Sequence, residues 1–124
     1  MGFQCPECNN KTLKIIYRIE LPSDARSDEI TLQVIRCGGC NFEGIAIYEE
    51  SRRGVLDSET IAHYGYTLDS QELKSIKALI KRCQEPANPW CACDNHQKLN
   101  ERDIFGRWVR PGFTSEQKTF TINL

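Results

Sequence analysis

The sequence has no excess of either charge: 16 Lys and Arg stand against 17 Asp and Glu, a formal net charge of −1. That balance argues against a generic nucleic-acid binder, which concentrates cations to neutralise phosphates. No apolar stretch approaches the roughly 18 residues that a membrane span needs, so a transmembrane helix and a membrane partner are not expected. The first residues, Met1-Gly-Phe-Gln-Cys-Pro6, lack the charged region and apolar core of a secretory leader. Pro6 also breaks the N-myristoylation pattern, which wants Ser or Thr there. With nothing pointing to export, the expected location is cytoplasmic. A composition of 40% hydrophobic and 27% charged residues is that of a globular protein rather than a disordered one. A length of 124 residues allows one domain, or two small modules sharing a core.

Cysteine is what the sequence does have, seven times, at positions 5, 8, 37, 40, 83, 91 and 93. The first four form two Cys-x-x-Cys pairs, Cys5-Pro-Glu-Cys8 and Cys37-Gly-Gly-Cys40, with 28 residues between them. Two such pairs are the sequence form of a tetrahedral four-cysteine zinc site. A two-residue gap lets a tight turn aim both sulfurs at one ion, and N–H groups of the turn can then donate to the thiolates. Such turns need a residue that tolerates positive φ just past the second cysteine. Asn9 and Asn41 stand there, and Asn is among the best non-glycine occupants of that region. Disulfides would need an oxidising compartment, and a thioredoxin-type pair is a single Cys-x-x-Cys in a βαβ setting. Neither context is visible. Iron uses the same four thiolates, so the spacing leaves Zn²⁺ and Fe both open, with zinc the commoner structural occupant.

Cys5-Pro-Glu-Cys8 and Cys37-Gly-Gly-Cys40-Asn-Phe resemble the two rubredoxin-type knuckles of the zinc-ribbon family, over about residues 1–50. The resemblance implies a three-stranded antiparallel sheet pinned at one end by the metal. It implies little about function, because such ribbons serve transcription factors, ribosomal proteins, adaptors and enzyme insertions. Family members usually carry Gly after each knuckle, where this chain has Asn.

The residues between the knuckles support the same fold independently. Leu13, Ile15, Tyr17, Ile19 and Leu21 alternate with polar residues, interrupted only by Ile16, and Ile30, Leu32 and Val34 alternate after a polar turn. Residues 43–49 make a third strand. A three-stranded sheet is marginal alone, so metal binding must contribute folding free energy. Its apolar face also needs a cover, which the second half is expected to supply. Arg52-Arg53-Gly54 breaks the pattern, dividing a ribbon module (1–53) from a helix and C-terminal module (54–124). Residues 55–66 read either as a short capped helix ending at Gly65 or as an edge strand. Beyond them, Asp69 caps a clear helix, with Glu72 three residues on. Leu73, Ile76, Ile80 and Cys83 form its apolar stripe, and Pro86 ends it. Lys74, Lys77 and Lys81 line a neighbouring stripe, either a solvated face or a phosphate-binding one.

Cys83, Cys91, Cys93 and His96 make a second complete tetrahedral ligand set, though in a spacing that matches no common template. Cys91 and Cys93 point to one side of an extended chain, His96 follows in the next turn, and Cys83 reaches in from the helix end. The alternatives are a buried core Cys83, inert thiols, or His63 as the fourth ligand. At the C-terminus, Pro111-Gly112 between residues 104–110 and 118–124 reads as a loose hairpin. There Trp108 is either a core residue or, with Arg107 and Arg110, an exposed recognition patch.

The expected fold class is therefore α+β: a small three-stranded zinc ribbon, an α-helix, and a Cys/His-containing C-terminal segment with a β-hairpin. Zn²⁺ is the expected cofactor, in one site or two. The first functional expectation is a non-catalytic adaptor that binds another protein. The second is a nucleic-acid-associated accessory factor of transcription or translation, acting through residues 74–82 and 107–110. The third is a small zinc enzyme or redox sensor centred on Cys91, Cys93 and His96. Charge weighs on the second. Residues 1–50 hold five basic and eight acidic residues, and four thiolates around one Zn²⁺ make that half more negative still.

Overall fold

Alternating apolar and polar residues build strands, and in this chain they build five. The computed structural model describes residues 2–25, 27–51, 60–109 and 119–122. Strands β1 (Leu13–Leu21), β2 (Glu29–Cys37), β3 (Glu43–Ser51), β4 (Thr60–Tyr66) and β5 (Thr119–Thr121) form one antiparallel sheet in chain order. The expected three-stranded ribbon is thus the first part of a larger sheet. Residues 60–66 are the strand of the two alternatives, and β4 lies between β3 and β5 rather than at an edge. Gly65 permits the last pairing. The Phe120 ring of β5 lies over it, and a Cβ there would stand 2.5 Å from Phe120 Cζ.

The interruption at Ile16 has a structural meaning. Ile15 pairs with Ile35 and Tyr17 with Val34, so Ile16 is the extra residue of a β-bulge. One unpaired residue moves everything after it to the other face of the sheet. Leu13 and Ile15 therefore join Cys5, Ile35, Cys37, Ala46 and Phe120 on one face, beside the knuckles. Tyr17, Ile19 and Leu21 join Ile30, Leu32, Val34, Ile45 and Ile47 on the other. The single apolar face read from residues 13–21 is corrected to two, divided at the bulge.

The larger face is covered as the sequence requires. Helix α1 (Ser70–Arg82) starts at Asp69, whose Oδ1 accepts from the Glu72 N–H at 2.9 Å, and it buries Leu73, Ile76 and Ile80. Cys83 caps its end, its N–H shared between the Leu79 and Ile80 carbonyls. The short helix α2 (Asp94–Leu99) adds His96 and Leu99. Two of the three lysines read as a solvated or phosphate-binding stripe fasten α1 to the sheet. Lys77 Nζ lies 3.0 Å from Glu43 Oε2, and Lys81 Nζ sits 5.3 Å from the centre of the Tyr17 ring. Trp108 is buried in the same core, and its indole N–H donates to the Leu99 carbonyl at 2.8 Å. This removes it from the aromatic–basic patch proposed with Arg107 and Arg110. The C-terminal hairpin expected between residues 104–110 and 118–124 takes a different form. Trp108 bridges to Arg102, and residues 119–121 pair with β4, while Pro111-Gly112 and Arg110 lie outside the described residues.

The bulge makes a simple contrast. Ile19 is fully buried, whereas Ile16 is 36% exposed. Ile19→Ala is expected to lose about 2–5 kcal/mol of stability, and Ile16→Ala no more than about 1 kcal/mol. Denaturant titration of the two variants measures this difference.

Candidate metal centres

Two backbone turns of the same design carry the first four cysteines. Asn9 and Asn41 both take positive φ, 61° and 64°, as expected for the residue past each pair. The Asn9 N–H donates to the Cys5 carbonyl at 2.9 Å, and the Asn41 N–H to the Cys37 carbonyl at 3.2 Å. Inside each turn, N–H groups point at the first sulfur. That of Glu7 lies 3.4 Å from Cys5 Sγ, and those of Gly39 and Cys40 lie 3.3 and 3.4 Å from Cys37 Sγ. The first turn is tied to β1 through the Phe3–Leu13 bridge, and the second connects β2 to β3.

The four sulfurs converge. Cys5 and Cys40 are 3.6 Å apart, Cys8 and Cys37 are 3.7 Å apart, and all four Sγ atoms lie within 4.8 Å of one another. A tetrahedron of sulfurs at the zinc–sulfur distance of ~2.3 Å has edges of about 3.8 Å. A disulfide would bring two of them to ~2.05 Å, and all seven cysteines are free. The quartet is thus positioned for metal binding, as in a zinc ribbon.

Thr12 is a residue that reading by cysteine spacing overlooks. Its Oγ1 lies 2.9 Å from Cys37 Sγ. That hydroxyl contact, with the Cys40 and Gly39 N–H groups, lowers the Cys37 pKa to about 6 against the opposing effect of burial. At Cys40 the Phe42 backbone pulls the other way, yet burial and the neighbouring thiols drive the pKa up to about 12. The surroundings thus push the two neighbouring sulfurs in opposite directions, Cys37 toward thiolate and Cys40 toward thiol. A divalent cation is what brings four thiolates together, with release of protons. Thr12→Val is expected to raise the Cys37 pKa in the metal-free protein and weaken metal affinity by about 10–100-fold, the usual cost of losing such an outer partner. Competition against a chromophoric chelator reads the affinity.

The second group assembles from the end of α1, the loop after it, and α2. Cys83 is its hub: its Sγ lies 3.7 Å from Cys91 Sγ, 3.5 Å from Cys93 Sγ and 3.4 Å from His96 Nδ1. Cys83, Cys91 and His96 are buried with their ligand atoms within 4.8 Å of one another. A sulfur–nitrogen edge around zinc is about 3.6 Å, so the spacings of Cys83, Cys91 and His96 could hold an ion, while Cys93 touches Cys83 but stands outside that group of three. Cys93 has a second task as the N-cap of α2, where the His96 N–H donates to its Sγ at 3.3 Å. That contact, with those from Cys83 and Cys91, lowers its pKa against burial. Burial raises Cys83 to about 11. Burial lowers the His96 pKa, with the Glu20 backbone beside the ring acting in the opposite sense. His96 Nδ1 is the nitrogen that faces the sulfurs, and Nε2 is buried without a close hydrogen-bond partner among the described residues. The loop is fixed to the sheet where the Glu20 N–H donates to the Pro86 carbonyl at 2.8 Å.

His63, the alternative fourth ligand, is elsewhere. It sits on β4 with Nε2 2.7 Å from Gln33 Oε1. The alternative of a core Cys83 is only half of the truth, since the thiol is buried in the core cluster and also faces Cys91, Cys93 and His96.

A further feature escaped the sequence reading, although Asp103 with Gly106 three residues on is a common type I turn signature. The Gly106 N–H donates to the Asp103 carbonyl at 3.1 Å, with Gly106 at φ 76°. Asp103 Oδ1 accepts from the Phe105 and Arg107 N–H groups at 2.8 and 3.0 Å. The turn thrusts Ile104 and Phe105 into solvent, 93% and 74% exposed. Its base is anchored, since Trp108 is buried and Arg102 Nη2 donates to the Pro22 carbonyl at 2.7 Å. Among the described residues no helix is long and apolar enough to cross a membrane. Comparison of the chain with protein-family models, with curated proteins and with solved structures gives no match.

Proposed function

We propose that this chain is a zinc-binding, non-catalytic interaction protein with two structural zinc sites. Cys5, Cys8, Cys37 and Cys40 hold one ion, and Cys83, Cys91, Cys93 and His96 the other. The observation that carries the reading is the contact of Cys83 with all three of its companions. With Cys93 closing in from its contact with Cys83 as the fourth ligand beside the convergent Cys83, Cys91 and His96, the site is closed, and closed zinc sites are structural, whereas catalytic ones keep a position for water or substrate. An enzyme centred on Cys91, Cys93 and His96 would need Cys83 turned away into the core. The mixed sulfur–nitrogen second site favours zinc over iron, zinc is the commoner structural occupant of an all-sulfur site, and a colourless protein is expected.

Each ion would join parts that pack weakly alone. The first ties the N-terminal turn to the β2–β3 connection, and the second ties the end of α1 and α2 to the rim of the sheet at Glu20. On such a frame the Ile104–Phe105 turn acts as the contact surface. Two large apolar side chains held out by a rigid turn lose little conformational entropy on docking, which favours a protein partner with an apolar cleft. Affinity capture from the native host, with the protein and an Ile104→Ser/Phe105→Ser variant as paired baits, tests this. A partner retained by the first and lost by the second supports the reading, provided metal content and melting temperature match. Equal retention by both baits assigns the contact to another surface, and zinc-dependent turnover of a substrate overturns the non-catalytic role.

A further inference from the structure

Lys74, Ser75, Ala78, Leu79 and Arg82 of α1, with Lys98 of α2, line an open groove of about 500 Å³. Lys74, Ala78 and Arg82 recur at four-residue steps and so lie on one face of the helix. Lys98 closes the other side from the last turn of α2. The remaining lysines of α1 are spent elsewhere, Lys77 on Glu43 and Lys81 on the Tyr17 ring. Lys74, Arg82 and Lys98 are all exposed and make no ion pair among the described residues. Among the described residues no acidic side chain lines the groove. The helix dipole favours Arg82 in the last turn of α1 but gives no help to Lys74 in the N-terminal half. Three exposed cations along one groove without a counter-charge leave it positive, and a polyanion is the ligand that matches such a row of charges.

We propose that this α1–α2 groove binds the phosphate backbone of a nucleic-acid strand without reading its bases. Its shape favours a chain of phosphates over a single one. Lys74 and Arg82 are eight residues apart, about 12 Å along the helix axis, while a nucleic-acid strand carries a phosphate every ~3.4 Å of duplex axis. The groove is open and among the described residues no buried unpartnered polar group lines it, so it does not cage one compact anion. Among the described residues no aromatic side chain lines it, hence it offers no platform on which bases stack. Lys74, Arg82, Lys98 and the Ser75 hydroxyl are the group types that contact phosphate and position a strand without specifying sequence. The first half of the chain, with eight acidic and five basic residues, offers a strand no comparable attraction. The inference does not depend on the Ile104–Phe105 surface.

Fluorescence anisotropy with the metal-loaded full chain and a labelled mixed-sequence single-stranded 20-mer, as RNA and as DNA, tests it between 50 and 200 mM salt. The expected result is a dissociation constant of about 10⁻⁴–10⁻⁶ M, indifferent to sequence, with a log–log salt slope near −2 for three cations at ~0.7 each. Lys74→Glu/Arg82→Glu/Lys98→Glu is expected to abolish binding at unchanged zinc content and melting temperature, while Lys77→Gln leaves it intact. Should the triple variant fail to fold, Lys74→Gln and Lys98→Gln each reduce the slope by about 0.7. No binding at 50 mM salt overturns the proposal, as does binding that survives the triple exchange. Capture of polyglutamate but not of either 20-mer assigns the groove to an acidic protein segment and overturns it too.

Discussion

Cys37→Ser is expected to cost the protein the metal of its first site and, with it, the sheet. Cys37 ends β2, is fully buried, and receives the Thr12 hydroxyl contact and two N–H groups on its sulfur. It touches Cys8 directly, so its loss opens the quartet from the centre. A serine oxygen is shorter, harder and not ionised at neutral pH, and it does not replace a thiolate. Structural zinc contributes an apparent ~10–16 kcal/mol in small zinc domains, against a total stability of about 5–15 kcal/mol for an ordinary domain. A loss of only ~5 kcal/mol lowers the melting point by about 20 °C at this size. Circular dichroism melting is expected to show at least that drop, or no cooperative transition at all, with zinc content reduced by one per chain. Melting unchanged from the unsubstituted protein contradicts the assignment.

His96→Ala is expected to empty the second site while sparing the first. The imidazole is buried beside the Glu20 backbone and presents Nδ1 to Cys83. Removing it leaves a cavity, worth ~2–5 kcal/mol for a large side chain, and three thiols without their nitrogen partner. The consequence should be local at first. α2 and the turn behind it would leave the core, because Leu99 both packs there and accepts the Trp108 indole N–H. Tryptophan emission reports this cleanly. Trp90 is already 72% exposed and Trp108 is buried, so a red shift comes from Trp108 alone. The expected outcome is one zinc per chain, a red-shifted emission, and a first site that still resists chelation. Two zinc ions with unshifted emission contradict it.

What the sequence disclosed, it disclosed where local chemistry decides structure. The Cys-x-x-Cys spacing and the asparagines past each pair needed no tertiary information, because a two-residue turn and a positive φ are demands of the backbone itself. The Asp69 cap and the stripe Leu73, Ile76 and Ile80 were legible for the same reason. What stayed hidden depends on pairing. The bulge at Ile16 appears only when β1 is laid against β2, so residues 13–21 read as one face instead of two. β4 and β5 are short and flanked by ambiguous residues, and sheet partners rather than propensity select their conformation. The roles of Lys77 and Lys81 were hidden because Glu43 and Tyr17 are far away in sequence. The second metal group was visible as a ligand inventory but not as a geometry. Only the fold shows that the end of α1 brings Cys83 to Cys91, Cys93 and His96 and leaves His63 on β4.

Native mass spectrometry of the full chain, purified without added metal or reductant, tests the central claim most directly, because one spectrum reports both metal count and sulfur state. The account predicts a folded ion carrying two zinc atoms and no disulfide. A folded ion of bare mass, or one lighter by two hydrogens for each sulfur–sulfur bond, would contradict it.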